Sequence, residues 1–311
     1  MSLRLPCFLL SLCLSLSLSV QAAYNLQPRQ IADNTWLLEG STDNFSHENG
    51  GNIANIAFIV TDTETILIDS GPSLAYGREL ADAIQRITDK PVGHILITHH
   101  HPDHMLGNQA FPDALVAALP ATAQLIADEG DAMAENMYRM VGDWMRGTEV
   151  VQADTLLEPG TLKIGTYTLE LHAMSGHTGA DLVVLDPQTG VLFAGDILFY
   201  QRAPSTAHTP DINAWLADIE QLAALPWKTL VPGHGPVTSD NRPLLQMRDY
   251  LGWLDQLFRD AAANGDDMNR VMRSAVPERF AGISLAGYEL ARSVFHLYPA
   301  YERAYWQPLT E

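Results

Sequence analysis

The sequence predicts an α/β fold followed by a helical tail, and three observations carry that expectation. Short runs rich in Ile, Val and Leu alternate with stretches of helical apolar spacing over most of the chain. Several of those runs end in histidine, aspartate or glycine. From about residue 242 the strand signals stop, and apolar spacings of three and four remain.

Residues 1–23, MSLRLPCFLLSLCLSLSLSVQAA, combine a basic start at Arg4, an apolar run rich in Leu and Ser, and small residues around Ala22 and Ala23. This is the layout of a secretory signal peptide. The competing reading is a transmembrane anchor, but the run from residue 5 to 20 is short for a span and is broken by serines. A lipoprotein signal needs a small residue before its cysteine, whereas Pro6 precedes Cys7 and Leu12 precedes Cys13. Both cysteines lie in the leader, so an exported, periplasmic or secreted chain would form no disulfide. Losing the leader removes Arg4 and no acid, which takes the formal charge from -19 to -20. Such a charge argues against nucleic acid as a partner, and no other apolar stretch suggests a stable membrane anchor.

The main domain is expected over residues 24–240. The runs IANIAFIVT, TILIDSG, HILITH, ALVAAL, YTLELHAM, LVVLD, VLFAGD and TLVPGHG read as buried strands. Residues 74–90 and 212–225 read as helices between them. Residues 241–311 read as a helical extension packed on that domain. One helix stops at Asn264 and Gly265, and a second covers residues 286–301. Substrate selection is a further role open to this tail.

The chemistry concentrates in His99-His100-His101-Pro102-Asp103-His104, directly after the run HILIT. It holds H-x-H-x-D-H in one register: His99, His101, Asp103 and His104. A loop leaving a strand end presents such side chains towards one point, and nitrogen and oxygen donors suit zinc. Three more fragments follow apolar runs in the same way: Ser175-Gly176-His177-Thr178, Ala194-Gly195-Asp196 and Pro232-Gly233-His234-Gly235. Each alone is a common loop; together and in this order they point to one site. There is no G-x-S-x-G elbow.

With these motifs the chain resembles the metallo-β-lactamase superfamily, up to about Ser239. The resemblance implies a four-layer αββα sandwich with a C-terminal helical extension. It implies two metal ions, zinc by preference, with His99, His101 and His177 on the first, Asp103, His104 and His234 on the second, and Asp196 bridging. Asp69, in LIDSG, would support the metal loop from behind, or simply start the turn at Ser70-Gly71. Asp181 would orient His177, or cap a strand. His100 should point away from the metals. His47, His94, His172, His208 and His296 read as surface or core residues, with His47 the one to watch because its loop precedes the first long strand. Many members have a proline after H-T, where this chain has Gly179-Ala180-Asp181.

The implied reaction is hydrolysis of an ester, thioester or lactone-type small molecule by a metal-bound hydroxide, with Asp103 and Asp196 as the catalytic carboxylates. A glutamate in place of His101 marks a di-iron branch, so the histidine favours zinc; iron or manganese stays open, as does a single-iron sulfur dioxygenase. β-Lactamases of this fold usually carry Cys or Ser where this chain has Asp196, which argues against that activity. The segments NGGNIANIAFIVT, LIDSGPSLAYGRELADAIQRITDKPV and ITHHHPDHMLGNQAFPDA resemble the SoxH-like quinoprotein relay system zinc metallohydrolases. That likeness implies a periplasmic pathway linked to PQQ-dependent dehydrogenases, in which the chain acts as an enzyme or as a non-catalytic metal-bearing accessory protein docked on a quinoprotein.

Overall fold

The computed structural model describes residues 23–306; of the leader expected at residues 1–23, residues 1–22, with both cysteines, lie outside the described residues. Seven strands form the first sheet: β1 (Arg29–Ala32), β2 (Thr35–Leu38), β3 (Ile56–Val60), β4 (Thr65–Ile68), β5 (Val92–Leu96), β6 (Leu115–Ala118) and β7 (Thr155–Leu156), in chain order across it. The first four are antiparallel to one another, and β4 to β7 run parallel. The second sheet has the order β12 (Thr229–Val231), β11 (Val191–Phe193), β10 (Asp181–Asp186), β9 (Tyr167–Met174) and β8 (Gly160–Ile164). Here only β11 and β12 pair parallel.

The strands alternate between two cores, because successive side chains point to opposite faces. Ala57, Ile59, Ile66, Ile68 and Leu96 of the first sheet meet Leu169, Leu171, Leu182 and Val184 of the second. The intervening Phe58, Leu67 and Ile95 face outward onto α1 (Leu74–Gln85) and α3 (Pro120–Val141), with α2 (Pro102–Met105) at the sheet edge between them. Val183, Leu185 and Leu192 face α4 (Ile212–Ala224), α5 (Arg242–Asn264) and α7 (Ala286–Tyr305). The short α6 (Met268–Val271) links the last two. The layers are thus α, β, β, α, with the helical tail supplying much of the last one. Tyr250 of α5 and Tyr298 of α7 are fully buried, and the Tyr250 hydroxyl donates to the Ala286 carbonyl at 3.2 Å.

Several elements differ from expectation. The first helix stops at Gln85 rather than continuing to residue 90, and Pro91 follows; proline disfavours helix in the residue before it. The α3 helix was not foreseen. Its buried stripe runs Thr122, Ile126, Gly130, Met137, Val141, so two of its five inward positions do not read as apolar. The tail helix continues to Tyr305, beyond residue 301, and α5 ends as foreseen, with Gly265 in the left-handed conformation at φ 70°.

The strand directions gather the site. Because β9, β11 and β12 run the same way, their C-terminal ends share one edge of the second sheet. The parallel β4 and β5 deliver their ends to the adjoining edge of the first.

Candidate metal centre

The loop after β5 carries His99 at a bend and His101 in extended backbone, then turns into α2, which has Pro102 at its start and presents Asp103 and His104. Asp69 ties that loop down from the end of β4. It sits at φ 60°, a left-handed conformation that aspartate tolerates better than most residues. Its carboxylate accepts the Thr98 N–H at 2.7 Å, the Thr98 hydroxyl at 2.8 Å and His104 Nδ1–H at 2.7 Å. His99 Nδ1–H in turn donates to the Thr98 hydroxyl at 3.0 Å.

The His177 loop is held from both sides. Asp218 of α4 accepts the N–H groups of Ser175 and Gly176 at 2.8 and 2.7 Å. Asp181 accepts those of His177 and Thr178 at 3.1 and 3.0 Å, so it orients the histidine through the backbone rather than through the ring. Gly179, where many relatives of the fold were expected to have proline, takes φ 79° at this turn. Asp196 lies in a short 3-10 turn after β11, against Gly233. A Cβ on Gly233 would fall 2.0 Å from Asp196 Oδ1, so only glycine fits. Asn55 clamps the last loop: its side-chain amide donates to the carbonyls of Pro232 and Gly235 at 2.8 and 2.7 Å. His234 Nδ1–H donates to the Ile53 carbonyl at 2.8 Å. Arg202 Nη1 stands 2.6 Å from the same nitrogen; as a donor it could bond there only to the other tautomer, so with Nδ1 protonated the contact is one between two donors.

These loops bring together all seven expected donors. His99, His101, His177 and Asp196 form one group able to hold a metal ion, and Asp103, His104 and His234 another, the donor atoms of each lying within 4.8 Å of one another. Asp196 joins the two. Its Oδ2 is 3.7 Å from His99 Nε2, 3.3 Å from His177 Nε2 and 3.2 Å from His234 Nε2, and its Oδ1 is 3.2 Å from His104 Nε2. Asp103 Oδ2 lies 3.4 Å from His234 Nε2 and 3.7 Å from His104 Nε2.

Burial sets the charges. It holds His99 and His101 well below the ordinary histidine range and pushes His177 down to about 3. His104 is also buried, but Asp196, Asp103 and Asp69 override that and hold it well above the ordinary value. Burial would raise Asp196, yet His234, His104 and His99 keep it well below the carboxylate range. Burial lifts Asp181 to about 7 against its hydrogen bonds from Thr178 and His177.

The donor set fits a pair of divalent ions. His99 Nε2, His104 Nε2 and Asp196 Oδ1 are buried with no hydrogen-bond partner, a state that is costly unless something else engages them. Imidazole nitrogens turned inward, from which a cation can displace any proton, and carboxylates among them, are what a zinc-class cation takes.

A cleft of about 260 Å³ opens over the centre. Its lining combines His101, Asp103, Asp196 and His234 with apolar Phe45, Ile53 and Phe199, and with Arg202 and Arg292. A more open depression of about 570 Å³ along α3, at Asp131, Tyr138 and Glu149, carries none of the seven donors. On the helical tail, Arg292 reaches the cleft. Tyr298 is buried in the core, and Trp306 is exposed, bonded to the Ala262 carbonyl. The loop of His47 does cover the cleft, but through Asn44 and Phe45, while His47 itself is exposed. His94 pairs with Glu64 at 2.5 Å, His172 sits on β9 and His296 is exposed on α7. His100 lies 3.6 Å from Glu129 and forms a further group with His101 and His208, their donor atoms within 4.8 Å of one another. His208, read as a surface or core residue, stands in the cleft wall. Arg202 and Asn55 were missed as well; neither stands in a pattern that marks it.

A sandwich of this layering with a histidine–aspartate centre at one edge defines a class of metallohydrolase fold. The comparisons agree. A family model described as the metallo-beta-lactamase superfamily matches residues 49–234. A hydroxyacylglutathione hydrolase of Rhodobacter capsulatus is 30% identical over 209 residues, covering 65% of this chain and 70% of that one. A metallo-beta-lactamase type 2 of Bacillus sp. (strain 170) is 28% identical over 192 residues, 60% of this chain and 68% of the relative. A linear primary-alkylsulfatase of Pseudomonas sp. (strain ATCC 19151) is 41% identical over 236 residues, 62% of this chain but 44% of its own length. Among solved structures, a metallo-beta-lactamase from Pontibacter korlensis superposes with a TM-score of 0.60 at 24% identity, over 73% of this chain and 99% of that one. The chain belongs to the metallo-beta-lactamase superfamily and is an enzyme of its hydrolase kind.

Proposed function

We propose that this chain is a dinuclear zinc hydrolase acting on a small ester, thioester or lactone that carries an anionic group. The observation that carries the reading is Asp196, whose two oxygens lie between 3.2 and 3.7 Å from donor nitrogens of His99, His104, His177 and His234 and so join both groups. His99, His101 and His177 would hold one ion, Asp103, His104 and His234 the other, with Asp196 shared. Two such ions supply Lewis acidity and a water acidified to near neutrality.

The chain's own groups do the rest. Asp103 lines the cleft, where its carboxylate would take a proton from the attacking water and return it to the leaving group as the acyl bond breaks. Phe45, Ile53 and Phe199 would exclude water around the substrate body. Arg292 at the mouth and Arg202 deeper in would attract an anionic group, and Glu289, with Asp103 and Asp196, helps keep Arg202 charged against its burial. Relatives named for hydroxyacylglutathione and for linear primary alkylsulfate are in keeping with a charged small molecule.

The finer proposal is export to the periplasm and work beside a PQQ-dependent dehydrogenase. Its support is the layout of residues 1–23 and the likeness of the three segments quoted above to the quinoprotein relay group. Elemental analysis of the purified protein, followed by a panel of esters, thioesters and lactones, tests the central reading. About two zinc per chain and metal-dependent turnover are expected. One iron per chain, or a fully loaded protein inert on the whole panel, would overturn it.

A further inference from the structure

In four of the five histidines of the centre, one ring nitrogen faces the other donors and the second has a partner outside. His99 Nδ1–H is taken by the Thr98 hydroxyl, His104 Nδ1–H by Asp69 and His234 Nδ1–H by the Ile53 carbonyl. In each case the partner fixes which nitrogen keeps its lone pair for the centre. His101 is turned the other way. Its Nδ1 faces His177 Nε2 at 3.0 Å, so to offer Nδ1 to an ion it must keep its proton on Nε2, which is 2.7 Å from His208 Nδ1.

We infer that His208 is a positioning residue for His101: its Nδ1 accepts the His101 Nε2–H and thereby holds His101 Nδ1 towards the metal site. The proton count is consistent along the chain of contacts. With Nδ1 accepting, neutral His208 carries its own proton on Nε2, which points to Glu129 of α3 with Oε2 3.7 Å away. That separation is too long for a hydrogen bond and leaves an electrostatic orientation of the His208 ring. The same count speaks against a separate cation on His208 Nε2, because it would leave that ring with no proton at all.

His208 differs from the other three partners in where it comes from. Thr98, Asp69 and Ile53 belong to the loops and strand ends that build the two sheets' shared edge. His208, itself exposed, stands on the connection before α4 and also lines the cleft. A ligand of the proposed metal pair is therefore oriented by the wall against which substrate would bind.

This inference rests on the dinuclear reading, and its test separates the two. The full chain is prepared as wild type, His208→Phe, which keeps an aromatic ring without an acceptor, and His208→Gln, whose side-chain oxygen can accept. Zinc affinity is measured by competition with a chromogenic chelator. His208→Phe should bind zinc about 10- to 100-fold more weakly, the range for removing a ligand's outer partner, and His208→Gln should recover most of that loss. In nitrogen-edited NMR of the zinc-loaded wild type, a protected imidazole Nε2–H should be present, absent in His208→Phe and restored in His208→Gln. Equal zinc affinity and an unchanged imidazole resonance in His208→Phe overturn the inference alone. A wild type that binds no zinc overturns the dinuclear reading and this inference with it.

Discussion

The floor of the cleft and its rim are held by different means. On the floor, Asp69, Asp181, Asp218 and Asn55 each make two or more hydrogen bonds to the loops that carry the metal donors. Every one of the seven donors is buried. At the rim, Tyr288 is 47% exposed and the Arg292 side chain 35%, and both ride on one helix of the tail. A floor fixed from several directions preserves the geometry that metal chemistry needs, while rim side chains carried on a helix outside those loops are free to set which substrate reaches it.

That contrast orders the expected effects. Asp196→Ala removes the carboxylate shared by both groups and should lower kcat/KM by about 1,000-fold or more, with loss of bound metal seen by elemental analysis; activity within tenfold of wild type would mean that the chemistry lies elsewhere. Asp69→Asn touches no metal donor face but removes the charge behind His104, and a drop of about 10- to 100-fold in metal affinity is expected in a chelator competition. Asn55→Ala leaves the carbonyls of Pro232 and Gly235 without their buried donor and should cost about 1–3 kcal/mol of stability in denaturant unfolding. Arg292→Leu should act at the rim only. A half-exposed charge is worth about 1 kcal/mol, so KM for an anionic substrate should rise about fivefold while KM for a neutral analogue and the metal content stay constant.

The floor could be read from the sequence because its donors sit at strand ends, and strand ends announce themselves: HILIT, VLFAG and TLVPG each run straight into their ligand. Asp69 was visible for the same reason, at the end of TILI. The groups that hold these loops were not visible. Asn55, Asp218 and Arg202 act at long range or from irregular backbone, and nothing in their local spacing separates them from other polar residues. His208 was read as bland for that cause, since its meaning depends on α3 and the metal loop meeting in space. The helix α3 itself escaped because Thr122 and Gly130 occupy inward positions where close packing needs small side chains, so the buried stripe lacks an apolar pattern. On the tail, periodicity gave both helices, but only the packing of α7 on α5 shows why Arg292 faces the cleft while Tyr298 is buried in the core.

The bond from Asn55 to the Pro232 carbonyl spans 177 residues of chain. Contacts of such separation close late in folding, because they wait for the loop between them to be organised. Until the loop after β12 has closed against Asn55, the histidine-rich loop after β5 is an incomplete chelator that lacks the partner closing its second group of donors. A complete set of donors thus exists only in the folded chain, which ties metal capture to completion of the sandwich.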